Sequence, residues 1–356
     1  MNVAIIGAGV AGLACAHELE KHNISPVIYE QNAYIGEQYP HVGAMLELID
    51  RPVVDVIIYI KNEFDIDIKP LNVLTKLITY SPKDSYEVRG NLGYFVERGR
   101  NSNDLKNQLY AQLNNTKIKF NEVADYETLK NQYDYVVIAN GSPSFSKELG
   151  CFNELFNGFI RGAIVLGEFD PNALIAWINK DYCKSGYVYL TPFNNKKAFI
   201  GLIASDVNES EVEHYWDLFK STENINYPIV EEFKLNHISG FVYPHTVSNT
   251  LLAGNAGGAL DPFLGFGQFT SIAMGVMAGK SIITGDDYDK LLKYYIFKQR
   301  KMHQFRIALN KGTNKDYDKA IALVKIPPLK HLVYNTKIDF VKHGANIIKF
   351  LSKRKG

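Results

Sequence analysis

Val3-Ala-Ile-Ile-Gly-Ala-Gly-Val-Ala-Gly12 begins the ordered pattern of this chain, and Pro26-Val-Ile-Tyr-Glu30 completes it. An apolar run, a glycine turn, a helix through Leu13, Ala16, Leu19 and Glu20, a second apolar run and an acid stand in register. That order is the pattern of a strand-helix-strand dinucleotide cradle. Gly7 allows the sharp exit from the first strand, Gly9 lets the backbone approach a pyrophosphate, and Gly12 lets the helix pack against the sheet. The helix would aim its first amides and the positive end of its dipole at phosphates. Glu30 would take the two hydroxyls of an adenosine ribose. A ligand-free glycine turn would account for the three glycines but not for an acid in register after the second strand.

The chain has 356 residues and is 46% hydrophobic, enough for a large core and for two domains or one composite domain. Lys plus Arg number 39 and Asp plus Glu 38, a net charge of +1, so there is no bulk electrostatic reason for a nucleic-acid partner. Cys15, Cys151 and Cys183 lack CxxC or Cys/His spacing, which speaks against a metal site or a disulfide framework. No leader precedes Val3 and no apolar run approaches the roughly 20 residues of a membrane span, so a cytoplasmic protein is expected.

From Tyr34 to Pro70 the pattern predicts irregular backbone and then a helix. Between Val73 and Glu97 it predicts a small meander, and Ser102-Asn103-Asp104 offers a cap for a helix through Leu105, Leu109 and Leu113, followed by a strand at 117–120. Tyr133-Asp-Tyr-Val-Val-Ile-Ala-Asn-Gly141 has the form of a central parallel strand whose carboxyl end meets a ligand; an ordinary core strand and turn would look the same. Strands are expected over 159–169, 186–190 and 197–203, a helix near 171–180, a helix over 208–221, strand again over 230–242, and helices beyond Gly267.

A second glycine-rich signature lies at Leu251-Leu-Ala-Gly-Asn-Ala-Gly-Gly-Ala-Leu-Asp-Pro-Phe-Leu-Gly-Phe-Gly267, a strand and turn leading into a long helix. Together the two signatures resemble those of FAD-dependent oxidoreductases of the glutathione-reductase-like group. The resemblance places Asn255 where an acid usually meets the ribityl chain, and Gly265, Phe266 and Gly267 against the flavin ring. Within that group, Gly186-Tyr-Val-Tyr-Leu-Thr-Pro-Phe193 followed by Ala198-Phe-Ile-Gly-Leu202 is similar to the substrate-domain motif of geranylgeranyl reductases, with Tyr187, Tyr189 and Pro192 holding the substrate positions. It further implies that Arg98, in Tyr94-Phe-Val-Glu-Arg98, contacts the phosphates or adenine, and that Gly141 lies beside the cofactor. A solvated arginine at 98 and ordinary strand faces at 187 and 189 are the competing readings.

The fold class so implied is α/β: a Rossmann-like, three-layer FAD-binding domain with a central parallel sheet, an inserted β-rich substrate domain and a helical C-terminus. Residues 1–70, 100–150 and 248–285 would form the first, 71–99 and 151–247 the second, and 286–356 the third.

FAD would carry the redox chemistry, so no nucleophile, metal or triad is needed. The amides around Gly265 to Gly267 would stabilise negative charge on a reduced ring. The resemblance implies reduction of C=C bonds in a hydrophobic prenyl substrate, which requires a proton donor; His41, His237, His245 and several tyrosines are candidates. A second dinucleotide fingerprint is missing, so the reductant would be NAD(P)H bound transiently or a reduced electron-carrier protein. The stretch 338–355 mixes apolar residues with lysines and an arginine, a pattern for peripheral contact with an anionic membrane or for a terminal helix packed on the body. A flavin monooxygenase, a non-catalytic flavoprotein and an NAD dehydrogenase without flavin are the alternatives.

Overall fold

The computed structural model describes residues 1–327, 336, 338, 339 and 341–344. In chain order the first unit is β1 (Val3–Ile6), α1 (Val10–Lys21) and β2 (Val27–Tyr29), followed by β3 (His41–Leu46), α2 (Glu47–Asp50) and α3 (Val56–Phe64). The long hairpin β4 (Asn72–Tyr80) and β5 (Ser85–Arg98) comes next, then α4 (Leu105–Tyr110), β6 (Lys117–Lys119), α5 (Tyr126–Gln132), β7 (Tyr135–Ile138) and α6 (Ser144–Glu148). The middle of the chain holds β8 (Phe152–Leu166), β9 (Ala173–Trp177), α7 (Lys180–Cys183), β10 (Tyr187–Pro192), β11 (Lys197–Ser205), α8 (Glu211–Thr222) and β12 (Ile229–Val242). It ends with β13 (Thr246–Val247), β14 (Thr250–Leu252), α9 (Gln268–Thr284), α10 (Tyr288–Leu291), α11 (Lys293–Lys311) and α12 (Asn314–Val324).

Two sheets organise these elements. One has the order β13-β14-β7-β1-β2-β6, parallel throughout except for the β13–β14 hairpin. Its strands β1, β7 and β14 are almost wholly apolar and buried, as a parallel sheet covered on both faces requires. The other has the order β12-β8-β11-β10-β9-β4-β5-β3 and is antiparallel except between β4 and β9. The fold class is therefore α/β, with a Rossmann-like sheet, a β-rich second sheet and C-terminal helices. The three cysteines are free and buried.

Local chemistry explains several boundaries. The Asp104 side chain accepts from the Asn107 amide and so starts α4, as the sequence predicts; Asp55 does the same for α3 through Ile57 and Ile58. Two segments differ from expectation. Ala173–Trp177 is a strand where a helix is expected, because its backbone is paired on both sides, with β4 and with β10. Ladder pairing outweighs the weak helix preference of a five-residue Ala/Leu segment. His41–Leu46 is a strand where irregular backbone is expected; it lies along β5 at the edge of the second sheet.

Helices α1 and α9 lie against each other over their small residues. A methyl group added at Gly275 would collide with the Ala11 carbonyl and meet Ala14 Cβ at 3.0 Å; one added at Gly279 would meet Glu18 Cβ at 2.9 Å. Contact order runs the same way along both helices, so they are parallel and their N-termini face the same side. Gly275→Ala is expected to cost about 1–3 kcal/mol of stability, the range for overpacking a close contact. Equilibrium urea unfolding of the variant against the wild type checks this.

Candidate functional site

A crevice of about 480 Å³ opens at the carboxyl ends of β1 and β7 and is roofed by the inner face of the second sheet. In parallel α/β sheets ligands bind where neighbouring strands send their connections in opposite directions, and β1 lies between β2 and β7 at such a point. Gly7 and Gly9 line it. Gly7 has φ +104°, and a side chain there would collide with the Ala139–Asn140 backbone, so the turn is closed to other residues. At Gly9 an added methyl would meet only the Ala139 carbonyl, 3.9 Å away. Gly12 is buried inside the α1–β1 contact, beside the Gly7 carbonyl, away from the crevice.

Glu30 follows β2 and is 5% exposed. Its carboxylate accepts from the Ala8 amide at 3.0 Å and from the Asn32 amide and side chain at 2.9 Å each. These bonds fix the carboxylate plane at the crevice wall, with lone-pair directions left for ribose hydroxyls.

Arg98 ends β5 opposite His41 and lines the same crevice. It is half-buried rather than a solvated surface residue, and its Nε donates to the Glu37 carboxylate. Burial is the largest single influence on the Glu37 carboxyl and works to raise it, yet the Arg98 charge and hydrogen bond, helped by His41 and a backbone amide, together outweigh it and hold the group down at about 2. Burial, reinforced by Arg98, pushes His41 down to about 4, so its imidazole is neutral at pH 7. Lys106, buried beneath, donates to the carbonyls of Glu37 and Gly99 and ties this corner together.

At the other end Asn255 and Gly141 meet directly: Asn255 Nδ2 donates to the Gly141 carbonyl at 3.1 Å. Gly141 has φ +76° and open space where a side chain would be. Gly265, Phe266 and Gly267 also line the crevice, leading into α9. The amides of this turn are largely committed within the protein. Gly265 N donates to the Asp261 carbonyl at 2.9 Å, Phe266 N to Asp261 Oδ2 at 2.8 Å, and Gly267 N to Gln268 Oε1 at 3.2 Å. The donors left free at this end are the first amides of α9, at Gln268 to Thr270, which have no intrahelical acceptor and carry the positive end of the helix dipole.

Of the three residues expected to hold substrate, Tyr189 lines the crevice. Tyr187 is buried and its hydroxyl donates to the Leu264 carbonyl, so it braces the turn from the second sheet. Pro192 is buried at the end of β10, paired with Ala198 and away from the lining. Among the histidines, His245 is held by Asp289 at 2.7 Å and the Gly257 carbonyl at 3.1 Å, a packing role. His41 and His237 line the crevice. Sequence reading overlooked the wall contributed by Ile160, Phe199, Phe233 and Leu235. Phe233, Leu235 and His237 recur at every second residue of β12, a period that puts them on one face.

The residues fit FAD. The crevice joins a glycine turn open to phosphate, a fixed ribose-side carboxylate, and a second glycine turn with a free helix N-terminus. Its volume is within the usual range for cofactor sites.

Residues 1–159 match the family described as Pyridine nucleotide-disulphide oxidoreductase. Over the whole chain the fold is similar to a geranylgeranyl bacteriochlorophyll reductase-like protein from Thermoplasma acidophilum, with TM-score 0.76, 17% identity and 98% of each chain covered. It is also similar to the flavin-dependent brominase Bmp2, at TM-score 0.67 and 12% identity over 100% of this chain and 99% of that one. A flavoprotein/dehydrogenase from Cytophaga hutchinsonii matches at TM-score 0.65 and 14% identity, over 99% and 98%. At such identities the likeness is one of fold. Glu30→Gln, which removes a charge-assisted acceptor worth about 1.5–3 kcal/mol, is expected to weaken FAD binding about ten- to a hundredfold in a flavin-fluorescence titration. Residues 1–159 thus match the pyridine nucleotide-disulphide oxidoreductase family, the whole chain shares the fold of flavoproteins such as the geranylgeranyl bacteriochlorophyll reductase-like protein, and FAD is the cofactor that the crevice fits.

Proposed function

We propose that this protein reduces a carbon–carbon double bond in a hydrophobic, prenyl-type substrate. The observation that carries the reading is the wall facing α9 across the crevice. Ile160, Tyr189, Phe199, Phe233 and Leu235 come from four adjacent strands and form one apolar, largely aromatic surface. Phe199 and Phe233 stack at 5.8 Å, and Tyr189 meets Phe199 edge-on at 5.4 Å. A branched hydrocarbon chain gains from such a surface by burial and dispersion alone and needs no hydrogen-bond partners. The geranylgeranyl-type neighbour supports the same substrate class.

Bound in the crevice, FAD supplies the two-electron chemistry. The chain itself has three tasks. Gly7, Gly9, Glu30 and the Arg98–Glu37 pair orient the dinucleotide; the α9 amides favour negative charge at the ring end; and the aromatic wall excludes water from the double bond. His41 and His237 border this part of the crevice, and burial holds each at about 4, so at pH 7 they are neutral and relay a proton drawn from solvent rather than store one. Electrons come from NAD(P)H or a reduced carrier protein. In this reading the protein works in the cytoplasm, and the basic stretch from residue 338 brings it to the membrane where prenyl lipids lie. Of that stretch, residues 340 and 345–355 lie outside the described residues. None of the described helices is long and apolar enough to cross a membrane.

The test is anaerobic turnover. Protein loaded with FAD and reduced with dithionite is mixed with a panel of prenyl alkenes, and the expected result is reoxidation with a product two mass units heavier. Phe233→Ala should raise KM for the longest chains about tenfold with little change in kcat, as expected when buried apolar contact is lost away from the reacting atoms. Reoxidation only by oxygen, with an oxygenated product, would instead make the protein a monooxygenase. No turnover under either condition would leave a flavin-binding protein without this activity.

A further inference from the structure

Asp261 has three backbone amides on its carboxylate. Oδ1 accepts from Phe263 N at 2.9 Å and Leu264 N at 2.7 Å, and Oδ2 accepts from Phe266 N at 2.8 Å. Its own backbone closes the same turn, with Asp261 N donating to the Phe266 carbonyl at 2.8 Å and its carbonyl accepting from Gly265 N at 2.9 Å. One side chain thus dictates the path of the chain from 261 to 267, immediately before α9 begins.

Other elements brace the turn from outside. Tyr187 of β10 donates to the Leu264 carbonyl, Ser239 of β12 donates to the Leu260 carbonyl at 2.9 Å, and a side chain at Gly265 would collide with the His237 ring. Phe266 and Gly267 line the crevice on one side and, on the other, a small cavity of about 40 Å³ that Asp261 also lines. Only the turn separates the carboxylate from the ring end of the site.

The charges around Asp261 come from every packed element. Asp50 of α2 and Lys298 of α11 line the same small cavity. Arg306 of α11 and Tyr187 of β10 interact with it electrostatically, and Tyr295 borders the cavity. Arg306 is 2% exposed and donates to the Ser185 carbonyl and the Ser205 hydroxyl rather than to a carboxylate.

From this geometry we infer that Asp261 is a positioning residue for the bound flavin: it shapes the turn so that the α9 amides meet the ring, and its negative charge behind the turn makes the ring harder to reduce. The inference rests on FAD occupying the crevice and is independent of the prenyl substrate. Burial raises the Asp261 carboxyl to about 6 against its three amide donors, so the charge is present at pH 8 and largely lost at pH 5.

Two variants separate shape from charge. Asp261→Ala removes all three acceptors and is expected to weaken FAD binding more than tenfold by fluorescence titration. Asp261→Asn keeps the size and one acceptor oxygen but not the charge. At pH 8 its bound flavin is expected to favour the reduced over the oxidised state about tenfold more than in the wild type, about +30 mV for a two-electron couple. At pH 5 the difference should close, because the wild-type carboxyl is then neutral, and a purely structural role would not produce that convergence. FAD binding by Asp261→Ala within twofold of the wild type would overturn the shape assignment. A potential for Asp261→Asn that matches the wild type at pH 8, or differs equally at both pH values, would overturn the charge assignment. Should the alanine variant fail to fold, the asparagine pair of measurements decides. Failure of the wild type to bind FAD would instead strike the cofactor assignment itself.

Discussion

The parallel pairing of α1 with α9 is the constraint on which the site depends. Each helix starts where a glycine turn leaves a strand, and each presents unpaired first-turn amides. Gly275 against Ala11 and Gly279 against Cys15 and Glu18 set how these two N-termini stand relative to each other. In that register α9 starts about three to six residues further out than α1, which at 1.5 Å per residue is about 5–9 Å. On the proposed reading one helix serves the phosphates and the other the ring of the same extended ligand. Larger residues at the contact would push the helices apart and change that spacing.

Two buried carboxylates do at short range what the helices do at long range. Glu30 gathers donors from Ala8 and Asn32, and Asp261 gathers those of Phe263, Leu264 and Phe266. A carboxylate out of bulk water has to be hydrogen-bonded, and backbone amides in a turn need acceptors; each satisfies the other. At the middle of the crevice the Arg98–Glu37 pair works differently, as a compensated charge: Glu37 stays ionised down to about pH 2, so the guanidinium keeps its partner across the range in which proteins work. In each case charge at this site is held by the fold before any ligand arrives.

The nucleotide half was legible in the sequence because its elements are local. Strand, turn, helix and acid lie within thirty residues, and each follows from backbone needs that glycine and a carboxylate alone satisfy. The caps at Asp104 and the strands at β1, β2 and β7 were readable for the same reason. What was not readable was pairing. Ala173–Trp177 and His41–Leu46 carry no strong strand pattern, and only their neighbours in the second sheet make them strands. The aromatic wall was hidden for a related reason: Ile160, Tyr189, Phe199 and Phe233 come from four strands spread over more than seventy residues, and register alone brings them to one face. Pro192, by the same register, points the motif's last position away from the crevice.

By itself the sequence determined that this chain begins with a β-α-β unit whose glycine turn and paired acid have the form of a dinucleotide cradle, and that it carries a second glycine turn before a long helix, since backbone geometry at glycine and the need to pair an acid are local physics. Only the tertiary structure decided that both turns open on one crevice, that the amides of the second turn are used by Asp261 while those of α9 are left free, and that an aromatic sheet face closes the site. Those outcomes depend on helix contact and strand register between residues hundreds of positions apart, which no local pattern encodes.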